Sequence, residues 1–148
     1  MTGKPLDQRP GRLLFVCYGN ICRSPMAEAL ARLRLGPAAR VASAGIGATG
    51  GPAAEEAVLV MRLVYEIDIS GHIARPVGAF DLRDFDAIIS MDASIYHHLR
   101  EFWGAPEAKL HGWDIEDPLG SDYQAFKATA LKIERRLDQF LAAAGLEA

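Results

Sequence analysis

The strongest constraint on the fold is a short apolar run, residues 12–17 (RLLFVC), followed directly by a turn and a helical segment. A continuous apolar run of this length is typical of a strand buried on both faces of a parallel sheet. A helix is predicted over residues 25–35, with Ser24 as its N-cap and Pro25 at its first position. The chain is therefore expected to begin its folded part with a strand–loop–helix unit.

The remaining sequence alternates strands and helices in the same way. Further strands are predicted at residues 40–43, 86–91 and 109–113, and further helices at residues 53–66, 92–103 and 121–144. This alternation predicts an α/β fold with a mostly parallel sheet. No repeat or linker divides the chain, so residues 12–148 are expected to form one domain after a flexible lead-in at residues 1–11.

Composition narrows the class of protein. The 148 residues carry a net charge of -3, which gives no support for a nucleic-acid or acidic-membrane partner. No stretch reaches the roughly 18 apolar residues of a membrane span, and the first twelve residues lack the apolar segment of a secretory signal, so a cytoplasmic location is expected. The two cysteines and four histidines lack the spacing of zinc ligands, so neither a metal nor a cofactor is predicted.

Residues 17–24 have the form Cys-x5-Arg-Ser between the first strand and the first helix. A loop that runs into a helix N-terminus directs several backbone N–H groups to one point, which suits a phosphate dianion. Gly19 and Asn20 tolerate the positive φ that such a loop requires. Arg23 offers two parallel donors to phosphate oxygens. The loop after the first strand is therefore predicted to bind phosphate.

Cys17 lies where this field of donors would be strongest, so its sulfur is expected to be largely thiolate at neutral pH. Attack on phosphorus would give a phosphocysteine, and the Ser24 hydroxyl could assist the later departure of the sulfur. The competing interpretation, a merely buried Cys17 and a surface Arg23, does not explain why all these residue types coincide. Asp117-Pro118 lies in a predicted loop, and taken alone it would more often begin a turn.

The chain resembles the low-molecular-weight protein tyrosine phosphatases, whose opening motif is similar to residues 16–30, VCYGNICRSPMAEAL. The similarity continues in the same order at residues 43–45, 67–75, 91–92 and 117–118. It implies a four-stranded parallel sheet flanked by helices on both faces. It also implies a metal-independent enzyme that hydrolyses phosphotyrosine in proteins and small aryl phosphates.

The resemblance also assigns roles to individual residues. It implies Cys17 as nucleophile, Arg23 as phosphate binder, Ser24 as the group that assists the thiolate, and Asp117 as general acid and then base. The residues expected to contact the substrate are Tyr18, Gly19, Asn20, Ile21, Cys22 and Leu119. Those expected to brace the loop by hydrogen bonds are Asn20, Ser43 and His72. Cys22 would form a reversible disulfide with the nucleophile under oxidation.

Two departures from the family pattern affect the substrate. Leu119 and the small residues of the loop at 46–52 stand where many members have aromatic side chains. Tyr18, or less well Trp113, could replace them; the alternative is that both are packing or surface aromatics. Members that act on phosphoarginine have threonine where this chain has Ile21, so phosphotyrosine is favoured over phosphoarginine. An arsenate reductase is less favoured, because that activity needs further cysteines after Cys22. A non-catalytic phosphate-binding module is less favoured as well.

Overall fold

Four parallel strands form the sheet in the computed structural model, which describes residues 11–145. The strands are β1 Arg12–Cys17, β2 Arg40–Gly45, β3 Ala87–Ser90 and β4 Leu110–Gly112. Their order across the sheet is β2–β1–β3–β4. This confirms the predicted four-stranded parallel sheet. The predicted flexible lead-in at residues 1–11 lies, apart from Gly11, outside the described residues.

Four α-helices alternate with these strands. They are α1 Arg23–Leu35, α2 Glu55–Tyr65, α3 Ala93–Phe102 and α4 Tyr123–Ala143. Short 3₁₀ turns occur at Val77–Ala79, Leu82–Asp84 and Glu107–Lys109. None of the helices within residues 11–145 is both long enough and apolar enough to cross a membrane.

The central strand β1 is buried on both faces because helices cover both sides of the sheet. Leu13 and Phe15 belong to the cluster formed with α1, α2 and α4. Leu14 and Val16 belong to the opposite cluster, with α3 and the 3₁₀ turns. All four side chains are fully buried, as the apolar run predicts. This packing fixes the carboxyl end of β1, from which the next loop starts.

The strand order reverses at β1, which has β2 on one side and β3 on the other. In parallel sheets a crevice opens beyond the carboxyl ends of the strands at such a point. The loop at residues 18–22, the end of β3 and the segment that follows β4 all reach this crevice. The fold therefore brings together three distant parts of the sequence at one edge.

Most predicted boundaries are shifted by one or two residues, and two of the differences have identifiable reasons. Ser24 is not the N-cap of α1: the helix begins at Arg23, and the Ser24 hydroxyl contacts Cys17 Sγ instead of capping the helix. Pro25 consequently lies at the third helical position, where its missing N–H still removes no intrahelical bond. Strand β2 continues two residues beyond the predicted end because Gly45 is paired in register with Cys17.

Candidate active site

The sulfur of Cys17 lies at the centre of the crevice and receives hydrogen bonds from the loop that follows it. Cys17 is the last residue of β1 and is 3% exposed. The Asn20 N–H donates to its Sγ over 3.2 Å, and the Ser24 hydroxyl lies 2.9 Å away. Ser24 Oγ accepts a bond from Asn20 Nδ2 (2.8 Å), and its own proton can be donated to the sulfur or, over a longer 3.5 Å, to the Ala44 carbonyl. Two polar groups of the loop and helix thus converge on one sulfur.

Asn20 holds the loop in place with both its side chain and its backbone. Its φ of 56° lies in the left-handed region, which asparagine tolerates better than most residues, and its side chain is fully buried. The Arg75 N–H donates to Asn20 Oδ1 over 2.9 Å, and His72 Nε2 donates to the Asn20 carbonyl over 2.8 Å. Of the two residues expected to take a positive φ, Asn20 does so and Gly19 does not.

The loop also rests directly on the backbone that leaves β2. A Cβ atom on Gly45 would lie 2.5 Å from the Tyr18 carbonyl oxygen and 2.8 Å from the Asn20 nitrogen. Only glycine allows so close an approach between two stretches of backbone. Just beyond it, the Ile46 N–H donates to the Cys17 carbonyl and the Gly47 N–H to the Tyr18 carbonyl. The loop is therefore supported by the backbone of residues 45–47 as well as by the hydrogen bonds of Asn20.

Arg23 is buried and oriented by acceptors that lie beyond two other strands. Its Nη1 donates to Asp92 Oδ2 over 2.8 Å and to the Ile115 carbonyl over 2.9 Å. Its Nη2 lies 3.7 Å from Asp117 Oδ2, and its buried Nε has no hydrogen-bond partner among the described residues. An unpaired buried donor costs about 1–3 kcal/mol. Because Nε and Nη2 share one edge of the guanidinium, Arg23 keeps a two-donor fork open for an anion.

Asp117 reaches the crevice from the segment that follows β4. Its side chain is 43% exposed, and one carboxylate oxygen accepts from the Leu119 N–H over 3.1 Å. The neighbouring Pro118 is buried, which restricts the backbone that carries the carboxylate. Asp117 thus lies at the mouth of the site, close to Arg23 and open to solvent.

One small cleft of about 40 Å³ joins most of the residues singled out in the sequence. Its lining consists of Cys17, Tyr18, Gly19, Ile21, Cys22, Arg23, Asp117 and Leu119. Ser24 and Asn20 lie beneath this surface, so Asn20 acts as a support and not as a lining residue. Burial, together with the nearby Asp117 carboxylate, raises the pKa of the Cys22 thiol to about 12. Cys22 is therefore a neutral thiol at physiological pH.

Two predicted roles are not matched by the structure. The Ser43 hydroxyl donates to Glu28 Oε1 over 2.5 Å and makes no hydrogen bond to the loop. The reason is its position within β2, two residues before the strand ends, where it faces α1. Trp113 does not form a wall of the cleft, because it is 3% exposed and packs against Phe15 in the core, with ring centroids 5.8 Å apart.

Sequence reasoning missed the acceptors that orient Arg23. Asp92 is the N-cap of α3, where one carboxylate oxygen accepts from the Ile95 N–H over 2.9 Å, and its second oxygen accepts from Arg23. Its position directly beyond the carboxyl end of a buried parallel strand could have indicated this, since such ends converge with the end of β1. The other acceptor of Arg23, the Ile115 carbonyl, is a backbone group, which a sequence pattern does not identify. The same holds for the Arg75 N–H that donates to Asn20.

Comparison with known proteins gives a consistent result. Residues 12–147 match the family model described as low molecular weight phosphotyrosine protein phosphatase. The low molecular weight protein-tyrosine-phosphatase Wzb of Salmonella typhi is 35% identical over 145 residues, covering 92% of this chain and 95% of that protein.

Two solved structures show the same fold at similar coverage. The low molecular weight protein tyrosine phosphatase from T. tengcongensis aligns with a TM-score of 0.81 at 35% identity, over 89% of this chain and 98% of that one. The YwlE arginine phosphatase from Geobacillus stearothermophilus aligns with a TM-score of 0.80 at 28% identity, over 90% of this chain and 92% of that one.

We predict that Asp92→Asn weakens phosphate binding and lowers stability. The Asp92 carboxylate is partly buried, but the Arg23 guanidinium and the Ile95 N–H hold its pKa below the ordinary value. Its stabilising effect is therefore present above about pH 4 and is lost as the pH falls through its folded pKa. The variant should lose about 1–2 kcal/mol in urea unfolding at pH 7. The loss should shrink towards pH 3.

The matched control is Asp114→Asn, which removes an exposed carboxylate near the same edge of the sheet. Competitive inhibition by inorganic phosphate should weaken at least about fivefold in Asp92→Asn because Arg23 loses its fixed orientation. Equal inhibition constants in the two variants would show that Asp92 does not position Arg23.

Proposed function

The chain belongs to the low molecular weight phosphotyrosine protein phosphatase family, and on that basis we propose that it hydrolyses phosphotyrosine in proteins through a phosphocysteine on Cys17. The observation that carries the proposal is the open Nε/Nη2 edge of buried Arg23 in the cleft that holds Cys17. A phosphate oxygen pair would satisfy that orphaned donor. We take residues 12–148 as the phosphatase domain. We also propose that the enzyme acts in the cytoplasm, where its thiols stay reduced.

In the first step Cys17 Sγ attacks phosphorus while the bond to the tyrosine oxygen breaks. The backbone N–H groups of the loop and the Arg23 fork bind the phosphoryl oxygens, whose charge is spread in the transition state. Asp117, at the mouth of the cleft, donates its proton to the departing phenolic oxygen. The products of this step are the free tyrosine side chain and phosphocysteine.

In the second step Asp117, now a carboxylate, takes a proton from a water molecule that attacks the phosphocysteine. The sulfur–phosphorus bond breaks and inorganic phosphate leaves. The Ser24 hydroxyl, 2.9 Å from Cys17 Sγ, donates to the sulfur as it regains its negative charge. The same donors that favour the thiolate before attack thus favour its departure afterwards.

Phosphotyrosine is preferred over phosphoarginine because of Ile21. One relative is named an arginine phosphatase, so the family fold alone does not choose between the two substrates. Ile21 lines the cleft and packs against the core. Its hydrocarbon side chain therefore contacts the leaving group but offers no hydrogen-bond acceptor to the guanidinium of a phosphoarginine. Arsenate reduction is disfavoured because the sequence has no cysteine after Cys22 to relay a disulfide. A non-catalytic phosphate-binding module is disfavoured as well, because binding alone would require neither the Cys17 thiol nor the Asp117 carboxyl group.

We expect Cys17→Ser to lower kcat for p-nitrophenyl phosphate without added metal by at least about a thousandfold, since the nucleophile is lost. Cys22→Ser is the matched control, because it changes the neutral thiol of the same loop, and it should keep most of the activity. A Cys17→Ser enzyme as fast as the wild type would refute the proposed nucleophile.

The role of Asp117 predicts a dependence on the leaving group. Asp117→Ala should lower kcat/KM for phenyl phosphate, whose phenol leaves poorly, far more than for p-nitrophenyl phosphate. We expect the two losses to differ by at least about tenfold. Asp114→Ala controls for removal of a nearby negative charge. Equal losses on both substrates would remove Asp117 from the role of acid.

Oxidation is expected to be reversible. Peroxide would convert the Cys17 thiolate to a sulfenic acid, and the Cys22 sulfur would then displace water to form a disulfide. The inactivated wild type should regain activity with dithiothreitol, and peptide mapping should find the Cys17–Cys22 bond. Cys22→Ser should be inactivated irreversibly. Equal recovery of both proteins after the same treatment would exclude this protective role of Cys22.

A further inference from the structure

The rim of the cleft carries a large aromatic side chain that the core does not require. Tyr18 follows the nucleophile, lines the cleft and is 60% exposed. Leu119, on the segment that carries Asp117, also lines the cleft and is 58% exposed. Two exposed apolar side chains thus face the space through which the organic part of a phosphate ester must leave the cleft.

The Tyr18 ring is held against Gly47. A Cβ atom placed on Gly47 would lie 2.7 Å from Tyr18 Cζ and 3.0 Å from both Cε2 and the hydroxyl oxygen. The Gly47 N–H donates to the Tyr18 carbonyl over 2.8 Å, so the two residues are tied by their backbones as well. One end of the ring therefore packs on a bare stretch of backbone that no other residue could offer.

The constraint at Gly47 is steric and does not arise from backbone conformation. Its φ is not in the left-handed region, so alanine would be tolerated by the main chain. The nearest atoms to its added methyl group belong to the outer part of a side chain, which can rotate away. At Gly45, in contrast, the clashing atoms belong to the backbone of the phosphate loop itself. The two glycines thus act on different parts of the site.

We infer that Gly47 is a specificity-determining residue: it positions the Tyr18 ring as a wall against which the aryl group of the substrate stacks. This inference rests on the proposed function and deepens it, because it names the part of the site that recognises an aryl ester. The Gly47→Ala substitution would force the Tyr18 ring to rotate away from residue 47 and would leave the phosphate loop unchanged. Stacked aromatic pairs contribute enough for about a threefold to tenfold effect on affinity.

The test compares two non-hydrolysable anions that differ only in the ring, phenylphosphonate and methylphosphonate, by calorimetric titration. Tyr18→Leu and Gly47→Ala should each weaken phenylphosphonate about threefold to tenfold and leave methylphosphonate within about twofold. Tyr18→Phe keeps the ring and should bind both as the wild type does. Gly51→Ala is the matched control, since nothing lies within 4 Å of its added Cβ.

The double variant Tyr18→Leu/Gly47→Ala should bind phenylphosphonate no more weakly than Tyr18→Leu alone, because Gly47 acts only through the ring. The inference is overturned if Gly47→Ala behaves like Gly51→Ala, if it weakens both phosphonates equally, or if the losses multiply in the double variant. Because binding is measured without turnover, a failure of the Cys17 mechanism would leave this comparison intact. Failure of the wild type to bind either phosphonate would overturn both proposals.

Discussion

The geometry of the site depends on how Asn20 is held. Its backbone adopts the left-handed conformation that turns the loop back on itself, and its N–H is thereby directed at Cys17 Sγ. Its amide group joins Ser24 on one side to the Arg75 backbone on the other, while His72 binds its carbonyl. A buried amide with its donors and acceptors satisfied is worth far more than one left unpaired. The conformation of the loop is consequently fixed by contacts within the protein.

A second set of contacts ties this loop to the rest of the sheet. Arg23 begins α1, yet its guanidinium is fixed by Asp92 beyond β3 and by the Ile115 carbonyl beyond β4. The strands β1, β3 and β4 are neighbours in the sheet, so their carboxyl ends lie side by side. Nη1 makes both of these hydrogen bonds, whereas Nε has no hydrogen-bond partner among the described residues and Nη2 has only the Asp117 carboxylate, 3.7 Å away. Fixed donors aimed at an anion need little reorganisation when the anion binds.

The sequence was sufficient to predict the sheet, its helices and the position of the loop. The apolar run at residues 12–17 predicts a central buried strand because both of its faces must be covered, and the structure agrees. The sequence was less informative where side chains have two possible partners. Ser24 fits a helix cap by residue type, but the nearby sulfur and amide take its hydroxyl. The expected contact of Ser43 with the loop was wrong because spacing does not reveal which neighbour a side chain of β2 meets. For Trp113, packing in the core was one of two open interpretations, and the structure agrees with it.

The central claim is that this ordered loop uses Cys17 to carry the phosphoryl group between two half-reactions. Asp117→Ala provides the most direct test, because it lacks the base for the second step while p-nitrophenol still leaves in the first. Rapid quenching after mixing this variant with p-nitrophenyl phosphate, followed by peptide mass spectrometry, should find one phosphoryl group on Cys17. A phosphoryl group on any other residue, or none while p-nitrophenol is released, would contradict the account.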